Sequence, residues 1–443
     1  MPERPPFAIR ARLVTPASDG GARHELDGLL EVDAGGRIGA VRAFAELEGT
    51  PETPVVDLRP WVLLPGLVDL HAHLPQLPNA GLGAGLDLLT WLERYIFPLE
   101  RGFDEATAER LAPAAFRALA AAGTTTAVLY GAVYEPSLDA SFRAAEAHGI
   151  RAVIGKVMMD RVTYDNTLRP ADILDLSLRQ SADLCARWHG RDGGRLRYAF
   201  TPRFAVSCTA DLLRESAALA GSTGAYWQTH LSEDLGELAE VARLFPESSD
   251  YLDVYDRAEG LGKRSILAHA IHLSDREILR MAESGSRVAH CPASNLFLAS
   301  GAMRLARYLE AGVLVGLGSD VAAGPELSIF GAMRSGAYTQ SALRVAGDSR
   351  PVLGPLDWLR MGTLEGARAL GLEGVIGSLE AGKEADFIAL DPSLTVPLPG
   401  VVAPADDPAS SDAEALISRL IFRAHPAMVR GAWVRGRRLA GPV

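Results

Sequence analysis

Between residues 64 and 375 short apolar runs alternate with longer stretches whose apolar positions repeat at helical spacing. The runs Leu67–His73, Thr124–Gly131, Arg151–Met158, Arg197–Arg203, Tyr226–Leu231, Ser265–His269, Arg287–Cys291 and Leu314–Asp320 predict strands. The stretches between them, such as Glu105–Ala122, Ser137–His148, Ala210–Gly221 and Asp275–Ser284, are rich in Ala, Leu, Arg and Glu and predict helices. Strand–helix alternation implies a parallel sheet, and eight such units predict a closed (β/α)8 barrel of the TIM type.

The two ends of the chain differ from this middle. Phe7–Leu13, Leu29–Val32 and Arg37–Val41 are short and β-like, separated by turns that contain Gly and Asp. Near the other end Ala385–Leu390, Ala427–Arg430 and Ala432–Arg435 have the same texture, with Gly431 predicted as a turn between the last two. Neither end has enough apolar residues for a core alone, so the two are expected to meet in one small β-sandwich. The expected division is 1–63 for its first part, 64–375 for the barrel and 376–443 for its second part. The Pro-, Ser- and Asp-rich segment 391–413 predicts an exposed loop.

Composition narrows the function more than the fold. Of 443 residues, 48% are hydrophobic and 22% charged, which supports a large core and argues against extensive disorder. A net charge of -11, without a basic face beyond the short Arg430–Arg438 stretch, argues against nucleic acid as a partner. Cys185, Cys208 and Cys291 are far apart and form no C-x-x-C pair, so a reducing cytoplasm is the expected compartment. Met1–Arg10 lacks the apolar core of a signal peptide, and Leu111–Val133 is interrupted by Arg117 and Gly123, so no membrane span is expected.

The chemistry lies in where the histidines fall. His71, His73, His230 and His269 sit at the C-terminal ends of three predicted strands, and Asp320 ends the eighth. In a barrel those ends converge on one mouth. His71-Ala72-His73 puts two imidazoles on the same face of a strand, a geometry suited to a divalent metal. Glu233, three residues beyond His230, can reach a water without being a ligand, as a proton shuttle must. His269 is either a further ligand or a hydrogen-bond partner of that water. The alternatives are a chance H-x-H pair, a first-turn helix glutamate favoured by the helix dipole, and a packed core histidine. His290 and His272 are weaker candidates, and His290 is expected to be structural.

In this order these residues resemble the metal-dependent amidohydrolase superfamily, over about Leu13 to Leu439. The finer pattern resembles the guanine deaminase family: His71-Ala72-His73-Leu74-Pro75-Gln76, Leu89–Pro98 (LTWLERYIFP), Gly155–Asp160 (GKVMMD), Thr201-Pro202-Arg203-Phe204, Thr229–Glu233 (THLSE), His290–Asn295 (HCPASN) and Gly318-Ser319-Asp320-Val321. The resemblance implies one zinc ion, with iron as the alternative, held by His71, His73, His230 and Asp320. It also implies Glu233 as the shuttle, with His269 and Asp320 orienting the water. Gln76 and Arg203 would hydrogen-bond a purine and Phe204 would pack against it. A homodimer and conversion of guanine to xanthine and ammonia follow from the same resemblance.

Ala293, Ser319 and Ala323 depart from that family's pattern, which bears on substrate identity rather than on the metal. Two rival readings therefore stand: the same hydrolysis on a pterin, triazine or aminopyrimidine, and a non-catalytic binding protein of amidohydrolase type. The glycine-rich Gly81–Gly85 lacks the lysine and the strand–turn–helix setting of a phosphate loop and is expected at the active-site rim. Lys156 ends a strand where some relatives with two metals carry a modified lysine, and it is expected here to be structural.

Overall fold

The structure is a computed structural model that describes residues 1–47, 53–161, 169–401 and 406–441. At the N-terminal end lie β1 (Phe7–Pro16), β2 (Ala22–Val32), β3 (Ile38–Ala43) and β4 (Val55–Pro65). The parallel strands follow: β5 (Leu67–His73), β6 (Thr124–Tyr130), β7 (Arg151–Gly155), β8 (Val157–Met158), β9 (Leu196–Pro202), β10 (Tyr226–Leu231), β11 (Ser265–His269), β12 (Arg287–His290) and β13 (Leu314–Leu317). β14 (Phe387–Leu390), β15 (Val429–Val434) and β16 (Arg437–Arg438) complete the set.

Eight strands form a barrel in the order β13-β12-β11-β10-β9-β7-β6-β5, and the short β8 pairs only with β9. Lys156 separates β7 from β8, so the predicted Arg151–Met158 strand is two pieces. The seam between β5 and the segment after β13 is joined by bonds from Asp320 N to His71 O at 2.7 Å and from His73 N to Val321 O at 3.0 Å. Alternate residues fill the inside: Val68, Leu70, Val128, Val153, Ala199, Ile266 and Ala289 form one core with Leu370, Leu372 and Ile376, which plug the end away from the mouth. The intervening residues, such as Leu129, Ile154, Phe200 and Leu267, pack outward on helices through Phe116, Leu138 and Leu213.

The helices start where their caps predict. Asp104 accepts from Thr107 N ahead of Glu105–Ala121, and Ser274 makes a reciprocal cap with Glu277 ahead of Asp275–Ser284.

Strands from both chain ends share one seven-stranded mixed sheet, ordered β16-β15-β14-β4-β1-β2-β3. Its own core gathers Phe7, Ile9, Leu13, Leu30, Leu63, Phe387 and Trp433, with the Phe387 and Trp433 rings stacked at 4.6 Å. The predicted turn at Gly431 is instead the interior of a continuous β15. A Cβ there would stand 2.5 Å from the Trp433 ring, so the glycine makes room for packing rather than for a turn. β4 and the helix Ala413–Phe422 are elements the sequence pattern did not reveal. The helix begins at the edge of the predicted loop, capped by Asp412, and buries Leu416, Ile417, Leu420 and Ile421. Residues 402–405 of that loop lie outside the described residues. Among the described residues no helix is long and apolar enough to cross a membrane.

Barrel and sheet are tied by a buried ion cluster. Arg151 on β7 reaches Glu384 Oε2 at 2.5 Å and Asp386 Oδ2 at 3.0 Å, and Arg435 Nε also meets Glu384 at 2.8 Å. Removing one partner strands the others in a low-dielectric interior. Arg151→Met is therefore expected to cost roughly 3–5 kcal/mol of stability, read from denaturant unfolding. A loss under about 1 kcal/mol would show that the cluster contributes no more than a surface pair.

Candidate active site at the barrel mouth

β5 delivers the first two histidines through an irregularity. Against β6, Asp69 pairs with Ala127 but Ala72 pairs with Leu129, so β5 carries one extra residue between them. Val68 and Leu70 belong to the barrel interior, whereas Ala72 packs in the outer core. The extra residue resets the alternation, so that both His71 and His73 face the mouth. Asp69 holds this bulge: its Oδ1 accepts from His71 N at 3.1 Å and from Ser319 N at 2.9 Å, and its Oδ2 accepts from Ser319 Oγ at 2.5 Å. Burial pushes the Asp69 carboxyl up to about 7. Gly318 allows the approach of the two segments, since a Cβ there would lie 2.8 Å from both His71 Cβ and Cys291 Sγ.

Three ring nitrogens and a carboxylate converge at the mouth. His73 Nε2 lies 3.3 Å from the Nε2 atoms of both His71 and His230. Asp320 Oδ1 lies 3.2 Å from His71 Nε2 and 3.3 Å from His73 Nε2. The His230 Nδ1–H donates to Arg203 O at 2.5 Å, which turns the Nε2 lone pair toward the cluster. Burial lowers His71 and His230 and brings His73 down to about 4, so protons do not supply the missing positive charge near neutral pH. Facing lone pairs without a proton between them call for a cation. Donors on a tetrahedral ion with bonds of about 2.1 Å lie about 3.4 Å apart, close to the separations found.

Beside this cluster stand Glu233 and His269. His269 Nε2 is 3.3 Å from Glu233 Oε2 and 3.8 Å from Asp320 Oδ2, while its Nδ1 meets Asn295 Oδ1 at 2.9 Å. Glu233 Oε1 is buried without a hydrogen-bond partner among the described residues. Burial, and next the charge of Asp320, push Glu233 well above the usual carboxylate range. Burial would also raise Asp320, but His71, His73 and His269 outweigh it and hold Asp320 well below that range. Ser232, His269 and Asp320 have φ of 51°, 69° and 48°, left-handed values that cluster here at the ends of barrel strands.

A narrow cleft descends to these groups. All the expected substrate residues line it: Gln76 from the turn after β5, and Arg203 and Phe204 from the end of β9. Trp91 and Leu92 supply an apolar wall, and Ala323 also lines the cleft. The glycine-rich loop leans on this wall: Trp91 Nε1 donates to Leu82 O at 3.0 Å, and a Cβ on Gly83 would clash with the indole at 2.5 Å.

Glu100 is a participant that sequence reasoning passed over. It follows Leu89–Pro98, in the helix Phe97–Arg101 beyond a wide turn at Leu92–Ile96. No local signal marked it, since Arg101 follows it directly and Glu93 and Arg94 lie a turn or two upstream. The structure buries it completely against Gln76 and Arg203.

His290 and His272 stay out of the cluster. His290 is buried, which lowers it to about 3, and His272 Nε2 meets Ser300 O at 2.8 Å. Lys156 also points away, with Nζ donating to Ser177 Oγ at 3.1 Å on the helix Pro170–Trp188. Burial lowers this amine from 10.5 to about 7. Between those values the unfolded chain binds the extra proton, so this lysine makes stability rise with pH across that window. Lys156→Met is expected to raise the thermal midpoint at neutral pH, with the advantage shrinking toward pH 10.5. A gain independent of pH would assign the effect to packing alone.

Barrel, sheet and mouth together define an amidohydrolase scaffold, and residues 62–439 match the amidohydrolase family. The chain belongs to that family. It is 38% identical over 376 residues to the guanine deaminase of Escherichia coli K12, covering 83% of this chain and 82% of that protein. The solved E. coli guanine deaminase superposes with a TM-score of 0.89 at 31% identity, over 99% of this chain and 100% of that one. Guanine deaminase from C. acetobutylicum, solved with guanine bound in its active site, gives a TM-score of 0.87 at 27% identity, over 98% and 99% of the two chains.

Proposed function

We propose that this protein is a hydrolytic deaminase that converts guanine and water to xanthine and ammonia. The observation that carries the proposal is the approach of His73 to His71 and His230, and of Asp320 to His71 and His73, beside Glu233 at the foot of a cleft bearing Gln76, Arg203 and Phe204. The nitrogen and oxygen donor set suits one zinc ion, which when bound supplies the Lewis acidity that makes water nucleophilic near neutral pH. Similarity to deaminases that act on guanine supports the choice of substrate.

The chain's own groups divide the remaining work. Gln76 can both donate and accept, and Arg203 donates, which suits a base edge carrying a carbonyl and ring nitrogens. Phe204 packs against the ring. Asp320 and His269 flank the site of attack and orient the water toward C2. Glu233 carries one proton of the water to a ring nitrogen, and then carries the second, from the hydroxyl newly bonded to C2, to the departing amine as that hydroxyl becomes the carbonyl. Bonds balance: one C–O bond forms, one C–N bond breaks, and the water's hydrogens leave on ammonia and xanthine.

A panel of aminopurines, pterins and triazines, assayed for ammonia release by the zinc-loaded protein, tests the substrate. Guanine is expected to show the highest kcat/KM, with xanthine as product. A faster pterin or triazine would replace guanine in the proposal while leaving the chemistry intact. We place the protein in the cytoplasm, which the three buried free cysteines support, and carry over a homodimer from the family resemblance.

A further inference from the structure

Glu100 is fully buried and does not line the cleft, yet one of its oxygens is used by Gln76 and the other by Arg203, which do line it. Its Oε1 accepts from Gln76 Nε2 at 2.8 Å and its Oε2 accepts from Arg203 Nη1 at 2.5 Å. A carboxylate is a pure acceptor, so the first bond settles the orientation of the amide. Nε2 must face Glu100, which leaves Oε1 at the other end, 3.4 Å from Ala322 N. With a neutral group at Glu100 the amide could turn over and offer a ligand the reverse pattern of donor and acceptor. The second bond offsets the buried Arg203 charge, which faces the apolar ring of Phe97 at 5.6 Å. An offset guanidinium still donates hydrogen bonds but attracts an anion less.

We infer that Glu100 is a specificity-determining positioning residue, which makes the cleft accept a neutral heterocycle in one orientation and disfavour an anionic one. The inference rests on the proposed roles of Gln76 and Arg203. It has a consequence for turnover. Xanthine carries one more carbonyl than guanine and ionises more readily, so an offset Arg203 lets the product leave.

The test uses the zinc-loaded full chain with Glu100→Gln and Glu100→Asp. In Glu100→Gln, KM for guanine is expected to rise about tenfold, the worth of roughly one hydrogen bond, with a smaller change in kcat. Inhibition by xanthine should become stronger than in the unaltered protein, and more so at alkaline than at neutral pH as the product ionises. Glu100→Asp keeps the charge but is too short to serve both partners, so KM should rise without tighter xanthine inhibition. A merely structural residue would change zinc content or the unfolding midpoint and leave the ratio of guanine KM to xanthine inhibition constant unmoved.

A folded Glu100→Gln with unaltered KM and unaltered xanthine inhibition overturns the inference. If that variant does not fold, an unchanged KM in Glu100→Asp overturns it equally. Failure of the proposed function looks different: the unaltered protein would not deaminate guanine, or Arg203→Gln would leave KM where it was.

Discussion

Glu233→Gln is expected to yield a folded protein that still binds one equivalent of zinc but has lost turnover, with kcat down by roughly 10²–10⁴-fold or more. The substitution keeps the shape of the side chain and removes only its ability to carry a proton. Glu233 is placed for that task by its backbone: its N–H donates to Glu237 Oε2 at 2.8 Å, in a turn whose preceding residue, Ser232, has φ of 51°. One oxygen lies against His269 and the other has no protein partner among the described residues, as required of an atom that must meet water and then a leaving amine. Burial raises this carboxyl, and a general acid works best when its affinity for a proton approaches the working pH. Ammonia release and bound metal should be measured on the same preparation. Activity within about tenfold of the unaltered protein would remove Glu233 from the proton path.

Stripping the metal is expected to have an equally large effect, and one visible without any substrate. The chelated protein should release no ammonia, and zinc should restore activity at a stoichiometry of one. Zinc at a thousandfold excess over its Kd should stabilise the fold by about 4 kcal/mol, because the folded chain alone presents the assembled donors. The physical source is the His73 nitrogen packed 3.3 Å from those of both His71 and His230, beside Asp320. His230→Ala should lose both the activity and the zinc-dependent rise in thermal midpoint. A midpoint indifferent to zinc in the chelated protein would show that these groups hold no ion, whatever the activity.

Much of this was legible from the chain alone because each signal is local. The strand positions follow from apolar runs bounded by turns, the helix starts from capping residues such as Asp104 and Ser274, and the ligand candidates from histidines at strand ends. Misreadings arose where a contact made only in the folded chain sets the meaning of a residue. Gly431 looks like a turn until Trp433 is seen to need its space. The helix Ala413–Phe422 hides behind a polar, Pro-rich segment, and its apolar face acquires meaning only against the barrel helices.

The sequence by itself determined the alternation that makes the barrel, the spacing that sets His71 and His73 on a common side, and the separation of Glu233 from His230. Tertiary structure decided which side that was. Simple alternation from Val68 and Leu70, both inside the barrel, would have turned both histidines outward; the bulge anchored by Asp69 and Ser319 turns them in. Tertiary structure also decided that Glu100 stands behind Gln76 and Arg203. Periodicity records how often a side chain faces one way. A one-residue phase shift, or a buried charge awaiting partners from two other segments, depends on contacts that no local pattern encodes.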